Sequence, residues 1–169
     1  MPGPTQACPW CSELEISVLK RKNIMKLRAL IFDDHQEIRQ FLWAVFDSRG
    51  YEVFTFPHPA ICPLSGENPC PCPKEQSCSD IIISDVEMPF KNGLDFIEEQ
   101  ISKGCRCKNI ALMSGAFTNE HFAKLKSSGI MYFKKPFKLD DLEIWLDRIE
   151  KNIDPERKLA DWYLKKIPK

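Results

Sequence analysis

The sequence predicts an α/β fold in which helices alternate with the strands of one doubly wound parallel sheet. Short apolar runs rich in β-branched residues are bounded by polar residues, as buried parallel strands are, and helical patterns lie between them. Three of these runs end in charge, the first at Asp33-Asp34, the second at Asp85 and the third at Lys135. Because the carboxyl ends of parallel strands meet at one edge of a sheet, these charges are expected to lie together.

The individual elements follow in chain order from these patterns. Strands are predicted at about 27–32, 51–56, 80–84, 109–113 and 130–133. Helices are predicted at about 36–48, 94–103, 119–127 and 139–152. Gly50, Gly104 and Gly129 follow the first three helices, where glycine favours the chain reversal that ends a helix. Five strands that alternate with helices indicate a doubly wound parallel sheet.

The crossover between the second and third strands breaks the alternation. Residues 57–78 contain six prolines and four cysteines where such a fold requires a helix. Proline lacks the backbone donor and fixes φ, so a regular helix is not expected here.

The chain divides into three predicted parts. Residues 1–25 form an N-terminal extension, residues 26–152 form the domain with the Cys/Pro-rich segment, and residues 153–169 form a tail or an extra helix. If the tail is helical, Leu159, Trp162 and Tyr163 share one face. Translation starts either at Met1 or at Met25, which directly precedes the first strand.

Charge and hydropathy narrow the classes of function. Lys+Arg and Asp+Glu both number 24, so a formal net charge of zero gives no general attraction to nucleic acid or to an anionic membrane. The apolar stretches are too short to span a bilayer, and the N-terminus lacks the apolar core of a secretory signal. We therefore expect a cytoplasmic chain without membrane insertion or direct nucleic-acid binding.

Three carboxylates at one sheet edge repel one another unless a hard divalent cation and an ammonium group balance them. Asp33, Asp34 and Asp85 with Lys135 therefore describe a small acidic metal site with a lysine beside it.

Taken together, these motifs resemble the receiver domain of bacterial two-component response regulators, in the chemotaxis-regulator-like superfamily. The motifs are Asp33-Asp34, Asp85 to Pro89 with Gly93, Met113-Ser114-Gly115, and Tyr132 to Phe137. The resemblance covers about residues 26–150 and implies a flavodoxin-like sheet with strand order 2-1-3-4-5. In this sheet the Cys/Pro-rich segment stands in place of helix two.

The resemblance also implies a phospho-acceptor and a metal site. Asp85 would attack the phosphohistidine of a partner and form an aspartyl phosphate. Asp34 would be a direct Mg²⁺ ligand and Asp33 a water-mediated one. Asp85 and the backbone carbonyl of Glu87 would be the remaining ligands that the protein supplies.

The remaining site residues would form the switch. Lys135 would pair with Asp85 at rest and with a phosphoryl oxygen afterwards. Ser114 would hydrogen-bond the phosphoryl group, and Tyr132 would turn inward when Ser114 moves.

The implied function is that of a stand-alone receiver rather than an enzyme, with at most self-catalysed phosphorylation and dephosphorylation. It would accept a phosphoryl group from a sensor histidine kinase or phosphotransfer protein and change its affinity for an unknown downstream protein. About twenty residues follow the last predicted helix, too few for a DNA-binding domain. Two alternatives remain: an Mg²⁺-dependent aspartyl-phosphate phosphatase, and a metal- or redox-sensing module that uses the cysteines.

The cysteines support a separate hypothesis about the opposite edge of the sheet. Cys78 precedes the third strand and Cys105 the fourth, and Cys70 and Cys72 could fold towards them. Four such thiolates could bind Zn²⁺ tetrahedrally and replace the stabilisation that helix two would supply. Reduced, partly buried thiols and redox-labile disulfides are the alternatives.

Overall fold

A five-stranded parallel sheet forms the centre of the protein in a computed structural model that describes residues 26–118, 121–122, 125 and 128–166. Its strands are β1 (Arg28–Phe32), β2 (Glu52–Phe56), β4 (Ile81–Asp85), β5 (Asn109–Ser114) and β6 (Met131–Lys134). Two short strands, β3 (Gln76–Ser77) and β7 (Lys158–Leu159), form a separate parallel pair. The helices are α1 (Gln36–Ser48), α2 (Gly93–Ser102), α3 (Leu139–Glu150) and α4 (Trp162–Lys166).

The order of the main sheet is β2-β1-β4-β5-β6. Counted among the five main strands alone, this is the expected order 2-1-3-4-5, so the flavodoxin-like fold class is confirmed. Between β5 and β6, the described residues 121, 122, 125 and 128 are helical; the first three lie within the predicted helix 119–127 and the fourth follows it directly. Within the described residues, no helix is both long enough and apolar enough to cross a membrane.

The two faces of the sheet bury two separate hydrophobic cores. Successive residues of a strand point to opposite faces, so β1 contributes Ala29 and Ile31 to one core and Leu30 and Phe32 to the other. The first core is completed by α1 and α3, and the second by α2 and residues of the Cys/Pro-rich segment. Because β1 and β4 are buried along their whole length, their ends are fixed in position.

The Cys/Pro-rich segment lacks an α-helix, as its prolines predict. It contains two short 3-10 turns, Pro59–Ile61 and Pro63–Gly66, followed by β3. A 3-10 turn covers much less of a sheet than a crossover helix does. Something else must therefore shield the sheet on this side.

The C-terminal tail supplies this cover, in a form that differs from the sequence-based expectation. Leu159 is a strand residue of β7, so a single helix with Leu159, Trp162 and Tyr163 on one face is wrong. The helix is limited to α4, whose Tyr163 is fully buried in the core, with its ring 5.7 Å from the ring of Phe54. The tail thus occupies part of the space that a crossover helix would fill. The expected extension at 1–25, including Met25, lies outside the described residues.

We expect Tyr163→Ala to lower the free energy of unfolding by about 3 kcal/mol, because it empties a buried aromatic site in the core. Leu164→Ala on the same helix is the matched control, since Leu164 is 40% exposed and should cost less than about 1 kcal/mol. Urea denaturation of both variants gives the comparison. Equal losses in the two variants would show that α4 does not pack into the core.

Candidate functional site

The acidic residues meet because β1 and β4 are adjacent and in register. Phe32 pairs with Ser84, so Asp33 and Asp85 follow at neighbouring positions at the carboxyl edge of the sheet. The backbone N–H of Asp33 donates to the carbonyl of Phe56 at 3.2 Å, which extends the sheet by one residue. Both carboxylates are buried.

Lys135 connects the two carboxylates. Its backbone N–H donates to the carbonyl of Ser114 at 2.7 Å, which places the lysine at the same edge. Its Nζ donates to Asp33 Oδ2 at 2.7 Å and lies 3.1 Å from Asp85 Oδ1. The resting ion pair with Asp85 is therefore present, but Asp33 is the closer partner of the lysine.

Asp34 and His35 complete the acidic cluster. His35 Nδ1 lies 2.8 Å from Asp34 Oδ1 and 3.6 Å from Asp33 Oδ1. Ligand atoms of Asp33, Asp34, His35 and Asp85 all lie within 4.8 Å of one another. The ligand set predicted from sequence omits His35. Its position directly after the acid pair could have indicated that it lies in the cluster.

Burial and the neighbouring charges make the ionised form of Asp85 costly. Burial raises the pKa of the Asp85 carboxyl, Lys135 opposes this, and the charges of Asp33 and Asp34 raise the pKa further. Burial disfavours the charged form of Lys135, but the hydrogen bond to Asp33 and the charge of Asp85 outweigh it, so its pKa is raised. The lysine therefore stays protonated and supplies positive charge to the site.

Asp85 also carries an oxygen that the protein leaves unsatisfied. Within the described residues, its buried Oδ1 has no partner in hydrogen-bond geometry, although Lys135 Nζ is nearby. Asp33 differs, because Oδ1 accepts the N–H of His35 and Oδ2 accepts Lys135. A buried, unsatisfied carboxylate oxygen beside two further carboxylates fits a hard divalent cation such as Mg²⁺.

Ser114 ends β5 and is fully buried at the same edge. Its Oγ accepts the backbone N–H of Ala116 at 3.0 Å. An oxygen that accepts one hydrogen bond still carries a proton that it can donate. The expected hydroxyl therefore lies at the carboxyl end of the strand that neighbours Asp85.

Tyr132 lies on β6 and is 45% exposed. Its ring packs edge-on against Phe117 and Phe122, with centroid distances of 5.5 Å and 5.1 Å. The tyrosine thus belongs to a surface aromatic cluster of Phe117, Phe122 and Tyr132. Glu87, also among the predicted site residues, is exposed in the loop that follows β4.

Gly93 lets the loop after Asp85 close tightly. Its N–H donates to the carbonyl of Val86 at 2.8 Å. A Cβ atom at this position would lie 1.8 Å from the backbone oxygen of Asp85 and 2.7 Å from Ser84 Oγ. Only a residue without a side chain fits this approach.

The four predicted zinc ligands lie near one another at the opposite edge. Cys72 and Cys105 both pack against the core cluster that contains Cys78, and the thiol of Cys70 lies near Cys72. All four are free thiols. Among the residues that the structure describes, however, the acidic cluster is the one group of three or more side chains positioned to hold an ion. The geometry therefore gives the zinc hypothesis no support.

Comparisons with known proteins agree with the sequence motifs. A family model of the response regulator receiver domain matches residues 29–147. The uncharacterized transcriptional regulatory protein YvfU of Bacillus subtilis is 35% identical over 78 residues, which cover 46% of this chain but 38% of that protein.

Solved structures agree as well. The chemotaxis response regulator CheY4 of Vibrio cholerae is 26% identical, with 74% of this chain and 99% of that chain covered and a TM-score of 0.56. The receiver domain of the Francisella response regulator 1452 shares the fold at 22% identity, with a TM-score of 0.60 and coverage of 75% and 98%.

We expect Gly93→Ala to lower the free energy of unfolding by about 1–3 kcal/mol, since the added methyl group collides with the backbone of Asp85. Gly66→Ala is the control, because no atom lies within 4 Å of its added Cβ. Urea denaturation measures both. A loss in Gly93→Ala no larger than in the control would contradict the tight approach.

We expect Asp85→Asn to raise the free energy of unfolding at pH 7 in metal-free buffer. Because the folded-state pKa of Asp85 is raised, the folded protein loses stability as the pH rises from the ordinary value near 3.8 through the higher folded value. The advantage of the variant should therefore be small near pH 4 and grow up to neutral pH.

Denaturation at several pH values with a chelator present measures this difference. Glu87→Gln is the control, since it neutralises an exposed carboxylate in the next loop and should show no such pH dependence. An Asp85→Asn protein that is less stable than the unaltered chain at pH 7 would contradict the prediction that the buried charge of Asp85 destabilises the folded protein.

Proposed function

This chain belongs to the response regulator receiver domain family, and on that premise we propose that it accepts a phosphoryl group on Asp85. The donor is the phosphohistidine of a sensor histidine kinase or of a phosphotransfer protein. The observation that carries the proposal is the buried Oδ1 of Asp85, which no hydrogen bond satisfies among the described residues and which faces a lysine ammonium 3.1 Å away. Phosphorylation on Asp85 is then a signal, since receiver domains are signalling domains rather than enzymes.

The transfer is a nucleophilic displacement at phosphorus. A carboxylate oxygen of Asp85 forms the new P–O bond, the P–N bond to the donor imidazole breaks, and the imidazole leaves with the bonding electron pair and takes up a proton. Lys135 already lies between Asp33 and Asp85, so a small movement brings its ammonium to a phosphoryl oxygen. Positioning and charge neutralisation are the main requirements of phosphoryl transfer.

Receiver domains typically bind Mg²⁺ through acidic residues, and an acidic cluster is present here. We assign Asp34 as a direct ligand and Asp33 as a water-mediated one. Asp85 and the backbone carbonyl of Glu87 would be the remaining protein ligands. Bound Mg²⁺ supplies positive charge that offsets the phosphoryl and carboxylate oxygens. Its affinity for oxygen ligands suits these carboxylates, and the adjacent His35 imidazole is not required.

The output of the switch is assigned to the surface around Tyr132. Ser114 would donate its hydroxyl proton to the phosphoryl group, which draws the end of β5 towards Asp85. Tyr132 would then leave Phe117 and Phe122 and turn inward, so the exposed aromatic cluster changes shape. An unknown downstream protein that binds one of the two shapes better shifts the equilibrium between them.

A phosphatase with Asp33 as the nucleophile is the less favoured enzyme alternative. Both oxygens of Asp33 already accept hydrogen bonds, whereas Asp85 keeps an unsatisfied oxygen. Strand β1 also ends in Asp-Asp-His-Gln, which does not fit the Asp-x-Asp motif of haloacid-dehalogenase-like phosphatases.

A cytoplasmic location and a stand-alone arrangement remain predictions from sequence.

Incubation of the protein with acetyl phosphate and Mg²⁺ tests the proposal by intact mass. We expect one added phosphoryl group on the unaltered chain and background labelling for Asp85→Asn, because the acceptor oxygen is gone. Asp95→Asn, which changes an exposed acid in the first turn of α2, should be labelled like the unaltered chain. A chelator should prevent labelling. Undiminished labelling of Asp85→Asn would refute the assignment, and release of phosphate from esters that needs Asp33 but tolerates Asp85→Asn would favour the phosphatase.

A further inference from the structure

A cluster of thiols lies at the edge of the sheet opposite the acidic site, just before the start of β4. The sulfur of Cys72 accepts a hydrogen bond from the indole Nε1–H of Trp162 at 3.2 Å, and Cys72 packs against the core cluster that contains Cys78. Cys78 is fully buried in the core, whereas Cys72 is partly exposed. One partly exposed sulfur thus lies against the part of the core that holds a buried thiol.

The hydrogen bonds set the charges of this pair. Donation from Cys78, with further donation from Trp162 and Cys70, lowers the pKa of Cys72 to about 6 despite its partial burial. The same bond to Cys72, together with burial, raises the pKa of Cys78, and burial raises that of Cys70 to about 11. At neutral pH the arrangement is therefore a thiolate beside protonated thiols.

We propose that Cys72 and Cys78 form a reversible oxidation site, in which Cys72 reacts with a hydroperoxide and Cys78 resolves the product as a disulfide. An accessible thiolate poised next to a second thiol is the arrangement found in redox-responsive cysteines. The site is separate from the acidic cluster, because Cys78 precedes β4 and Asp85 ends it.

The chemistry balances in two steps. The Cys72 thiolate attacks one peroxide oxygen, the O–O bond breaks, and the leaving oxygen takes a proton and departs as water or an alcohol. The Cys78 thiol then attacks the sulfenic sulfur of Cys72, the S–O bond breaks, and water leaves with the thiol proton. The two sulfurs together lose two electrons and the peroxide gains them.

Cys78 is favoured over Cys70 as the resolving thiol for reasons of chain geometry. Cys70 and Cys72 are separated by Pro71 alone, and so small a ring cannot reach ordinary disulfide geometry without strain. Five residues separate Cys72 from Cys78, and a turn closed by the Gln76 N–H donating to the Pro73 carbonyl at 3.0 Å lies between them.

Oxidation has a structural consequence through Trp162. The disulfide removes the negative sulfur that accepts the indole N–H, so α4 loses one contact with the Cys/Pro-rich segment. Tyr163 of the same helix hydrogen-bonds the thiol of a fourth cysteine, Cys62, at 3.5 Å. The tail covers the part of the sheet that a crossover helix would otherwise cover. It is therefore the element that oxidation would loosen.

Peptide mapping of the full chain tests the proposal directly. The reduced protein is treated with hydrogen peroxide at one equivalent or less, free thiols are alkylated, and the chain is digested with trypsin, which cuts after Lys74 and places Cys72 and Cys78 in peptides 50–74 and 75–91. We expect these two peptides to be joined by one disulfide that a dithiol reductant reverses. Joining of other cysteine peptides first, or irreversible oxidation of Cys72 without a disulfide, would overturn the proposal.

Variants separate the roles of the individual residues. Cys70→Ser and Cys62→Ser should keep the cross-link, whereas Cys78→Ser should lose it and leave Cys72 as a sulfenic acid that a 1,3-dione reagent captures. Trp162→Phe should slow alkylation of Cys72 at pH 7 by about three- to fivefold, because the thiolate loses a donor. Purified protein that carries one equivalent of zinc and an unreactive Cys72 would overturn the redox assignment in favour of a metal site. These results do not depend on labelling of Asp85, so they can fail or succeed independently of the proposed function.

Discussion

The repulsion between three carboxylates at one sheet edge is the constraint on which the site depends. Adjacent parallel strands force Asp33 and Asp85 together, and burial keeps water from screening them. Lys135 balances part of this charge by contacting both carboxylates. The Arg39 guanidinium donates to the backbone carbonyls of Asp33 and Asp34 rather than to their carboxylates. Negative charge therefore remains in excess, and a cation or a neutralising step can relieve it.

A sheet that lacks one crossover helix exposes apolar surface, and the C-terminal tail covers part of it. Buried charged residues at the edge opposite the acidic site hold the tail in place. Asp80 accepts the backbone N–H of Arg28 at 2.8 Å and forms a bidentate ion pair with Arg157. Arg28 donates to the carbonyl of Cys78 at 2.9 Å and pairs with Glu52 at 2.7 Å. This network orders the chain between α3 and α4, so that the terminal helix can cover the core.

Much of this architecture could be predicted from sequence because strong periodic patterns carry it. The helix predicted at 36–48 and the run that ends in Asp85 needed only local signals, whereas the strand order came from the resemblance to receivers. The pairing of β3 with β7 could not be foreseen, since two-residue strands have no period. The closer contact of Lys135 with Asp33 than with Asp85 could not be predicted, because it depends on the conformation of the flexible lysine side chain. The approach of Cys72 to Cys78 followed from chain geometry, but the indole donor from Trp162 depends on how the tail folds back.

Backbone amide NMR during a magnesium titration shows whether a cation balances the acidic cluster, and it needs no partner protein. We expect saturable, one-site shifts confined to the carboxyl edge of the sheet, at residues 33–35 and 85–87 and near Lys135. We also expect Asp34→Asn to weaken this binding while the shifts, at higher magnesium, still centre on Asp85. The absence of saturable shifts at this edge, or a magnesium site elsewhere, would contradict the idea that a cation balances the acidic cluster.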